Sequence, residues 1–490
     1  MVLLGGLVTA TLPRSTPLLH SGEPSELLLL LRGTTPGRMA GLALVLVGLG
    51  LLATSWLVLC RRLAVRRDGP GGVELVRLAT LTWCAPLVLA PPLFSRDGWS
   101  YAAQGMLVTL DISPYTHGPH MLAGPLRQAV DPMWMQTPAP YGPLPLGYGG
   151  VAADLTASPW LLVLAHRGLA LVGLVLLAWA VPRLAGWAGV DPALASALVL
   201  VSPFMLANGV AGLHNDLLMV GLMAAALVVG AERGWFWGAA LAGLAAAVKA
   251  PGGLVCLGIV LVSLPAGARL VDRVRRTGAV AAVSVGVLAG LGALTGLGGG
   301  WVSGLTVPAA VATPLSATTL VGTGLAGLTG LDLFHGLTRL VGGVMAVGLA
   351  GRLLAASRTG SRDVALAAVG TAVLALVVLS PVVHIWYFLW AVPFVAARRL
   401  SRVAMTALVA LSVVGGLVAP LDSSLHGAYL VIVFGVMLVA ALLTLLLLTR
   451  PSRDRVDRIV TQTLLSPALG GRAHSARGLV VDGQHQVDGP

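Results

Sequence analysis

Apolar residues in this chain arrive in blocks of roughly fifteen to twenty-two without a charge, separated by short polar or arginine-bearing connections. A helix needs about 20 such residues to cross about 30 Å of hydrocarbon. The pattern predicts spans over 40–60, 74–94, 160–180, 192–212, 216–231, 235–249, 252–266, 277–297, 339–356, 363–380, 385–398, 403–420 and 427–449. Met1 to Leu12 is apolar but too short to span. It lacks the basic start and cleavage site of a signal peptide and reads as the tail end of a span whose start is missing. Two stretches interrupt the pattern. Residues 95–159 are rich in Asp, Pro and aromatics, with a stiff Thr137-Pro-Ala-Pro-Tyr141-Gly-Pro143 run. Residues 298–335 carry no charge before Asp332, leave and return on one side, and suit a re-entrant or surface-lying segment.

Composition agrees with this reading. The 490 residues are 57% hydrophobic and only 10% charged, more apolar surface than a soluble domain can hide, and 63 glycines suit close helix packing in lipid. The expected architecture is an all-α polytopic transmembrane helix bundle with a large outer loop after an early span. The net charge of +12 does not indicate nucleic acid, because the arginines sit in short clusters between apolar blocks. With residues 61–73 inside, the inside connections, counted together with the flanking helix ends, hold 23 of the 30 arginines. The outside loops then hold only Arg14, Arg32, Arg38, Arg96 and Arg127, while Arg167 and Arg339 lie near outer helix ends. This orientation places loop 95–159 outside and the C-terminus in the cytoplasm, as expected of a multi-pass plasma-membrane protein. Residues 1–39 are then a clipped first span and outer loop, 40–450 the transmembrane domain, and 451–490 a polar, disordered cytosolic tail. Cys60, Cys84 and Cys256 lie in apolar segments without paired spacing and read as filler.

Polar groups at the membrane are costly and therefore informative. Asp97, in Ser95-Arg96-Asp97-Gly-Trp-Ser100-Tyr101, can take a proton from a substrate hydroxyl, hold a divalent metal, or merely cap a helix and pair Arg96. His214-Asn215-Asp216 forms an outer turn suited to sugar hydroxyls, or to capping the helix from 216. Lys249, the only lysine, precedes Pro251 and can hold a phosphate, or simply snorkel. His384, Trp386 and Tyr387 suit a sugar or lipid-phosphate head, or an interfacial aromatic belt. These four turns come from separate parts of the chain, yet the topology puts them all at the outer face. Independent structural roles would not need to agree in depth, whereas a site would.

A carboxylate, one cation, polar turns and aromatics at headgroup depth suit transfer of a sugar from a lipid-linked phosphate. The absence of a Gly-rich phosphate loop argues against a nucleotide donor. An attacking hydroxyl needs a base, and the departing phosphate needs positive charge. Asp97 and Lys249 fit these roles, with Arg96 in reserve.

Ser95-Arg96-Asp97-Gly-Trp-Ser100-Tyr101-Ala-Ala-Gln104-Gly105, Ser113-Pro-Tyr115, Gly118-Pro119 and Thr137-Pro-Ala-Pro-Tyr141-Gly-Pro143 resemble the actinobacterial polyprenol-phosphomannose-dependent α-1,6-mannosyltransferases. The blocks His214-Asn215-Asp216, Ala247-Val-Lys249-Ala-Pro251 and Ser380-Pro-Val-Val-His384-Ile-Trp386-Tyr387 follow in that family's order, and the resemblance runs from about 40 to 450. It implies a GT-C fold and inversion from a β-linked polyprenyl-phosphate mannose to an α-1,6 linkage. The implied acceptor is a lipid-anchored mannan, as in lipomannan and lipoarabinomannan. It also implies Asp97 as base, at the start of the first large outer loop. Arg96, Ser100, Tyr101, Gln104, Tyr115, Tyr141, His214, Asn215, Asp216, Lys249, His384, Trp386 and Tyr387 are the substrate-binding candidates. The roles of His214, Lys249 and His384 rest on their chemistry, not on the resemblance. No cofactor or protein partner is expected. A metal requirement stays open, and the lack of a second carboxylate near Asp97 argues weakly against one. The chain departs from the family at its clipped first span. It departs again at Gly98 and Trp99, which stand where a more hydrophobic or β-branched residue and an aromatic are expected and predict a looser loop beside Asp97. A transporter would place polar groups near the midplane between inverted repeats, and neither feature is visible. A protein O-mannosyl- or arabinosyltransferase of the same fold is the nearer rival.

Overall fold

A computed structural model of the chain describes residues 1–421, except 14, 20–22, 67–69, 312 and 314, together with 450, 451, 454, 455 and 458. The expected span 427–449 and nearly all of the 451–490 tail lie outside the described residues. Every regular element among the described residues is helical.

The chain opens with α1 (Val2–Thr9), α2 (Glu23–Gly33) and the long α3 (Thr35–Arg66), on which α1 packs, followed by α4 (Pro70–Val88). The stretch 95–159 is itself folded, into α5 (Asp97–Thr109), the short α6 (Pro125–Ala129) and α7 (Pro143–Leu155), with α5 packed along α7. After α8 (Pro159–Trp187), Asp191 caps α9 (Pro192–Leu200) by accepting from Leu194 N at 2.8 Å, and Pro192 supplies a preset first turn. Next come α10 (Asp216–Glu232), α11 (Trp235–Val248), α12 (Val255–Ser263) and α13 (Leu270–Leu294). The stretch 298–335 holds two one-turn helices, α14 (Trp301–Gly304) and α15 (Val307–Ala310), and then α16 (Ala317–Thr329). The chain continues through α17 (Leu333–Ala356), α18 (Arg362–Leu379), α19 (Val392–Ala396) and α20 (Arg402–Val418).

Five of the described helices are long and apolar enough to cross a membrane: α3, α8, α13, α17 and α18. The chain is therefore an all-α polytopic membrane protein. Its outward faces are apolar, with Leu51, Val58, Val175, Leu340, Val344 and Val347 exposed where lipid would lie. At the centre, α10 is buried along nearly its whole length between α8 and α11.

Three expected spans are not continuous α-helices. The 192–212 stretch breaks after Leu200, because Pro203 supplies no N–H, and resumes as a π-helix (Met205–Ala211) bent by 58°. The 252–266 stretch is a 3-10 segment (Ala250–Leu254) leading into the nine-residue α12. The 385–398 stretch is a 3-10 segment (Ile385–Trp390) followed by five-residue α19, where Pro393 ends any hydrogen-bond ladder entering from 385. Each irregularity borders one of the polar turns.

Candidate active site

Asp97 is the first residue of α5 and is buried. Its backbone N–H donates to Ser95 Oγ at 3.1 Å, and its Oδ2 accepts from Tyr101 Oη at 3.3 Å, one turn along the helix. His214 Nδ1 stands 3.2 Å from the same Oδ2. Among the described residues both side-chain hydrogen-bond partners of the carboxylate meet Oδ2, and Asp97 lines a polar cavity with Ser100, Gln104, Trp134, Thr137, Tyr141, Lys249, His384, Trp386 and Tyr387.

Two backbone features bring Asp97 and His214 together. Phe94 and Leu213, just ahead of the two residues, hold positive φ angles of 68° and 57°, a strained setting for side-chain-bearing residues. Gly98 meets Leu213 so closely that a β-carbon would lie 2.6 Å from Leu213 Cδ2 and 2.8 Å from Pro92 Cγ. Trp99 beside it is fully buried. The expected looseness beside Asp97 is thus not found: the missing side chain at 98 is what lets the two turns close. Arg167, assigned no role from the sequence, reinforces the closure. Its buried guanidinium donates to Leu87 O at 2.6 Å, Ala90 O at 2.9 Å and Val210 O at 2.8 Å. It therefore ties the end of α4 to the π-helix that leads to His214. An arginine in an apolar block was its only sequence signal.

The aromatics form a second layer. His214 stacks on Trp386 with ring centroids 3.9 Å apart, and His384 stacks on the other side of Trp386 at 4.4 Å. Lys249 ends α11, where Pro251 stops the helix. Its ammonium pairs with Asp216 Oδ1 at 2.9 Å and lies over the rings of Tyr387 at 4.2 Å, Trp390 at 5.1 Å and Tyr141 at 5.6 Å. Trp390 Nε1 donates to the same Asp216 oxygen at 2.6 Å. Tyr141 reaches Lys249 because Gly142 sits against α11, its N–H donating to Val248 O at 3.0 Å, where a β-carbon would lie 2.2 Å from Ala247 O.

Asp97, Ser100, Gln104, Tyr141, Lys249, His384, Trp386 and Tyr387 therefore line one cavity. His214 and Tyr101 stand behind Asp97, and Asp216 behind Lys249. Asn215 is buried in the turn, away from the cavity wall. Arg96 turns toward Val130 O at 3.5 Å. Tyr115 packs with Ala139, Leu146 and Trp301, and so pins α14 to the stretch 95–159. Trp134 and Trp390 join the site from positions that carried no sequence signal beyond their residue type, and Thr137 joins it from the Pro-rich block without having been singled out as a binding candidate. Among the described residues, no group of three or more His, Cys, Asp or Glu side chains could hold a metal.

Asp97 and His384 lie outside the spans, so their ionisation follows from the packing. Burial alone would raise the Asp97 carboxyl. The His214 hydrogen bond, with the charges of His214, His384 and Lys249, outweighs burial and holds it below the ordinary aspartate range. Burial pushes His384 down to about 4. At neutral pH the cavity thus presents a carboxylate and a neutral imidazole.

A second, apolar cavity of about 440 Å³ adjoins the first and shares Trp134, Pro140, Lys249 and Tyr387 with it. Its remaining wall includes Leu254, Leu305, Val307, Val311, Leu376 and Val382. Lys249 marks the boundary between the polar and apolar halves.

Comparison with known proteins gives the relationship. Residues 1–265 match the family model described as alpha-(1->6)-mannopyranosyltransferase, N-terminal domain, and residues 308–450 match the MptB C-terminal domain. The chain is 31% identical to alpha-(1->6)-mannopyranosyltransferase A of Mycobacterium tuberculosis, over 95% of this chain and 91% of that one. It is 30% identical to alpha-(1->6)-mannopyranosyltransferase B of Corynebacterium glutamicum, over 71% of this chain and 64% of that one. No solved structure matches. With more than half its length under one family model and a relative aligned nearly end to end, the chain belongs to the alpha-(1->6)-mannopyranosyltransferase family.

Proposed function

We propose that the protein is a membrane mannosyltransferase that moves mannose from polyprenyl-phosphate mannose to a lipid-anchored mannan. It forms α-1,6 linkages with inversion, at the outer face of the plasma membrane. The observation that carries this reading is the junction of two cavities at Lys249, one polar and headed by Asp97, the other apolar. A lipid-phosphate sugar has the same division: a tail for the apolar half, a phosphate for the ammonium, and a sugar beside the carboxylate.

The chemistry follows from that placement. A primary hydroxyl of the acceptor lies against the free oxygen of Asp97. That oxygen takes the proton as the hydroxyl oxygen attacks the anomeric carbon. The bond from that carbon to the phosphate oxygen breaks, and the polyprenyl phosphate leaves with the electron pair, its new charge facing Lys249. Attack from the side opposite the phosphate inverts the anomeric centre. Tyr101 and His214 hold the other carboxylate oxygen and fix the direction in which the free one points.

The direct test is transfer from labelled polyprenyl-phosphate mannose to a short mannoside in membranes bearing the protein, with linkage analysis of the product. An α-1,6-linked mannose is the expected product. A different linkage, or no use of the lipid donor, would overturn the reading. Repeating the assay in EDTA decides whether a divalent ion takes part.

Two substitutions probe the arrangement behind Asp97. His214→Phe keeps a ring against Trp386 but removes the interaction that most lowers the Asp97 carboxyl. A base with a depressed pKa stays ionised further into acid. The acid limb of kcat/KM therefore lies below the ordinary aspartate value of 3.8 in the natural protein and moves upward in the variant. A limb at the same pH in both would remove His214 from this role. Gly98→Val forces Leu213 away and with it His214, and a displacement of this size is expected to slow transfer by about 100-fold. A variant as fast as the natural protein would show that the close approach is dispensable.

A further inference from the structure

Gln104 is a polar group that the catalytic step does not use. It lies on the cavity face of α5, with Ser100 between it and Asp97. Gln104 is 4% exposed, and its Oε1 is buried without a hydrogen-bond partner among the described residues. A buried amide oxygen left unpaired is unfavourable, and it is tolerated most readily where a ligand supplies the missing donor. Nothing else in the cavity wall claims it.

Position says which ligand this is. Gln104 lies seven residues beyond Asp97, about 10 Å along the helix axis, and helical side chains lean back toward the N-terminus. The amide is thus a sugar ring's width from the carboxylate rather than one bond away. Gln104, Ser100 and Thr137 line only the polar cavity, whereas the apolar cavity reaches Lys249 and Tyr387 and stops there. An in-line displacement puts the acceptor on the side of the anomeric carbon away from the phosphate, hence away from Lys249. From this the geometry points to Gln104 as the residue that reads the acceptor sugar: its Oε1 accepts a hydrogen bond from a ring hydroxyl of the pyranose whose primary hydroxyl faces Asp97. Trp134 and Thr137 line the same cavity and bound the space for that ring. Gln104 thereby selects a hexose acceptor by a hydroxyl that takes no part in the reaction. This inference rests on the reading of Asp97 as the base that receives the acceptor's proton.

The test pairs substitutions at 104 with acceptors lacking one ring hydroxyl. Alkyl α-mannosides deoxygenated at position 2, 3 or 4 are compared with the parent mannoside at saturating lipid donor. The natural protein is expected to lose about 10- to 100-fold in kcat/KM on one of the three, carried by the acceptor KM. Gln104→Leu, close in size to the natural residue, loses a similar factor on the parent mannoside and nothing further on that deoxy acceptor, while the donor KM holds. Gln104→Glu keeps the accepting oxygen and recovers most of the acceptor affinity. Additive losses from substitution and deoxygenation, an unchanged acceptor KM in Gln104→Leu, or a shifted donor KM would each overturn the assignment. If the natural protein takes no mannose from the lipid donor, the underlying reading fails rather than this inference.

Discussion

Asp97→Asn is expected to reduce mannosyl transfer by about a thousand-fold or more, while the protein still inserts and folds. The substitution preserves shape. An asparagine side-chain oxygen can still accept from Tyr101 Oη and face His214, which lie 3.3 Å and 3.2 Å from the natural carboxylate, so the packing around position 97 has little reason to change. What is lost is the free carboxylate oxygen that receives the proton. An amide oxygen is too weak a base for that task, and loss of a positioned base costs about 100- to 10,000-fold. The product assay in membranes, with the amount of folded protein checked by detergent gel filtration, measures the effect. A variant retaining a tenth or more of natural activity would move the base elsewhere. The cavity offers one further candidate: His384 is neutral above about 4 and lines the same wall. The paired substitution His384→Gln would then carry the larger loss.

The membrane character of the chain was open to sequence reasoning because hydropathy and arginine placement depend on composition over about 20 residues. The convergence of Asp97, Lys249 and His384 was legible for a related reason: each is a costly polar group beside a long apolar run, and cost points to use. Relations set by packing between distant segments were not legible. Trp390 and Asp216 meet across 174 positions, and the three carbonyls bound by Arg167 come from two other segments. Gly98 shows the same limit. Read alone, a glycine beside Asp97 means slack. In place, it is the only residue that lets Leu213 approach. Tyr115, inside the Ser113-Pro-Tyr115 block, packs against Trp301 and serves the shape of the stretch 95–159. The breaks at Pro203 and Pro393 were written in the chain, but apolar runs on either side concealed them.

Lys249 is the second group whose loss should be large, and its test must respect its surroundings. Lys249→Ala alone strips the ammonium from Asp216, which is fully buried and whose Oδ2 already lacks a partner among the described residues. Breaking a buried pair on one side costs about 3–5 kcal/mol. The single variant would therefore confound folding with function. Removing both charges avoids this. In Lys249→Met with Asp216→Asn, a flexible apolar chain replaces the ammonium among Tyr387, Trp390 and Tyr141, and an amide oxygen can still accept from Trp390. The double variant is expected to fold. Without the cation at the mouth of the apolar cavity, the departing phosphate loses its counter-charge. The donor KM should rise and kcat fall, together about 100-fold or more in kcat/KM for the lipid donor. The acceptor KM should stay within about twofold, since the hydroxyl-reading wall of the cavity is unchanged. A double variant with natural donor kinetics would make Lys249 a purely structural partner of Asp216. The phosphate would then have to be met by another cation, for which Arg96, now turned toward Val130, is the first candidate.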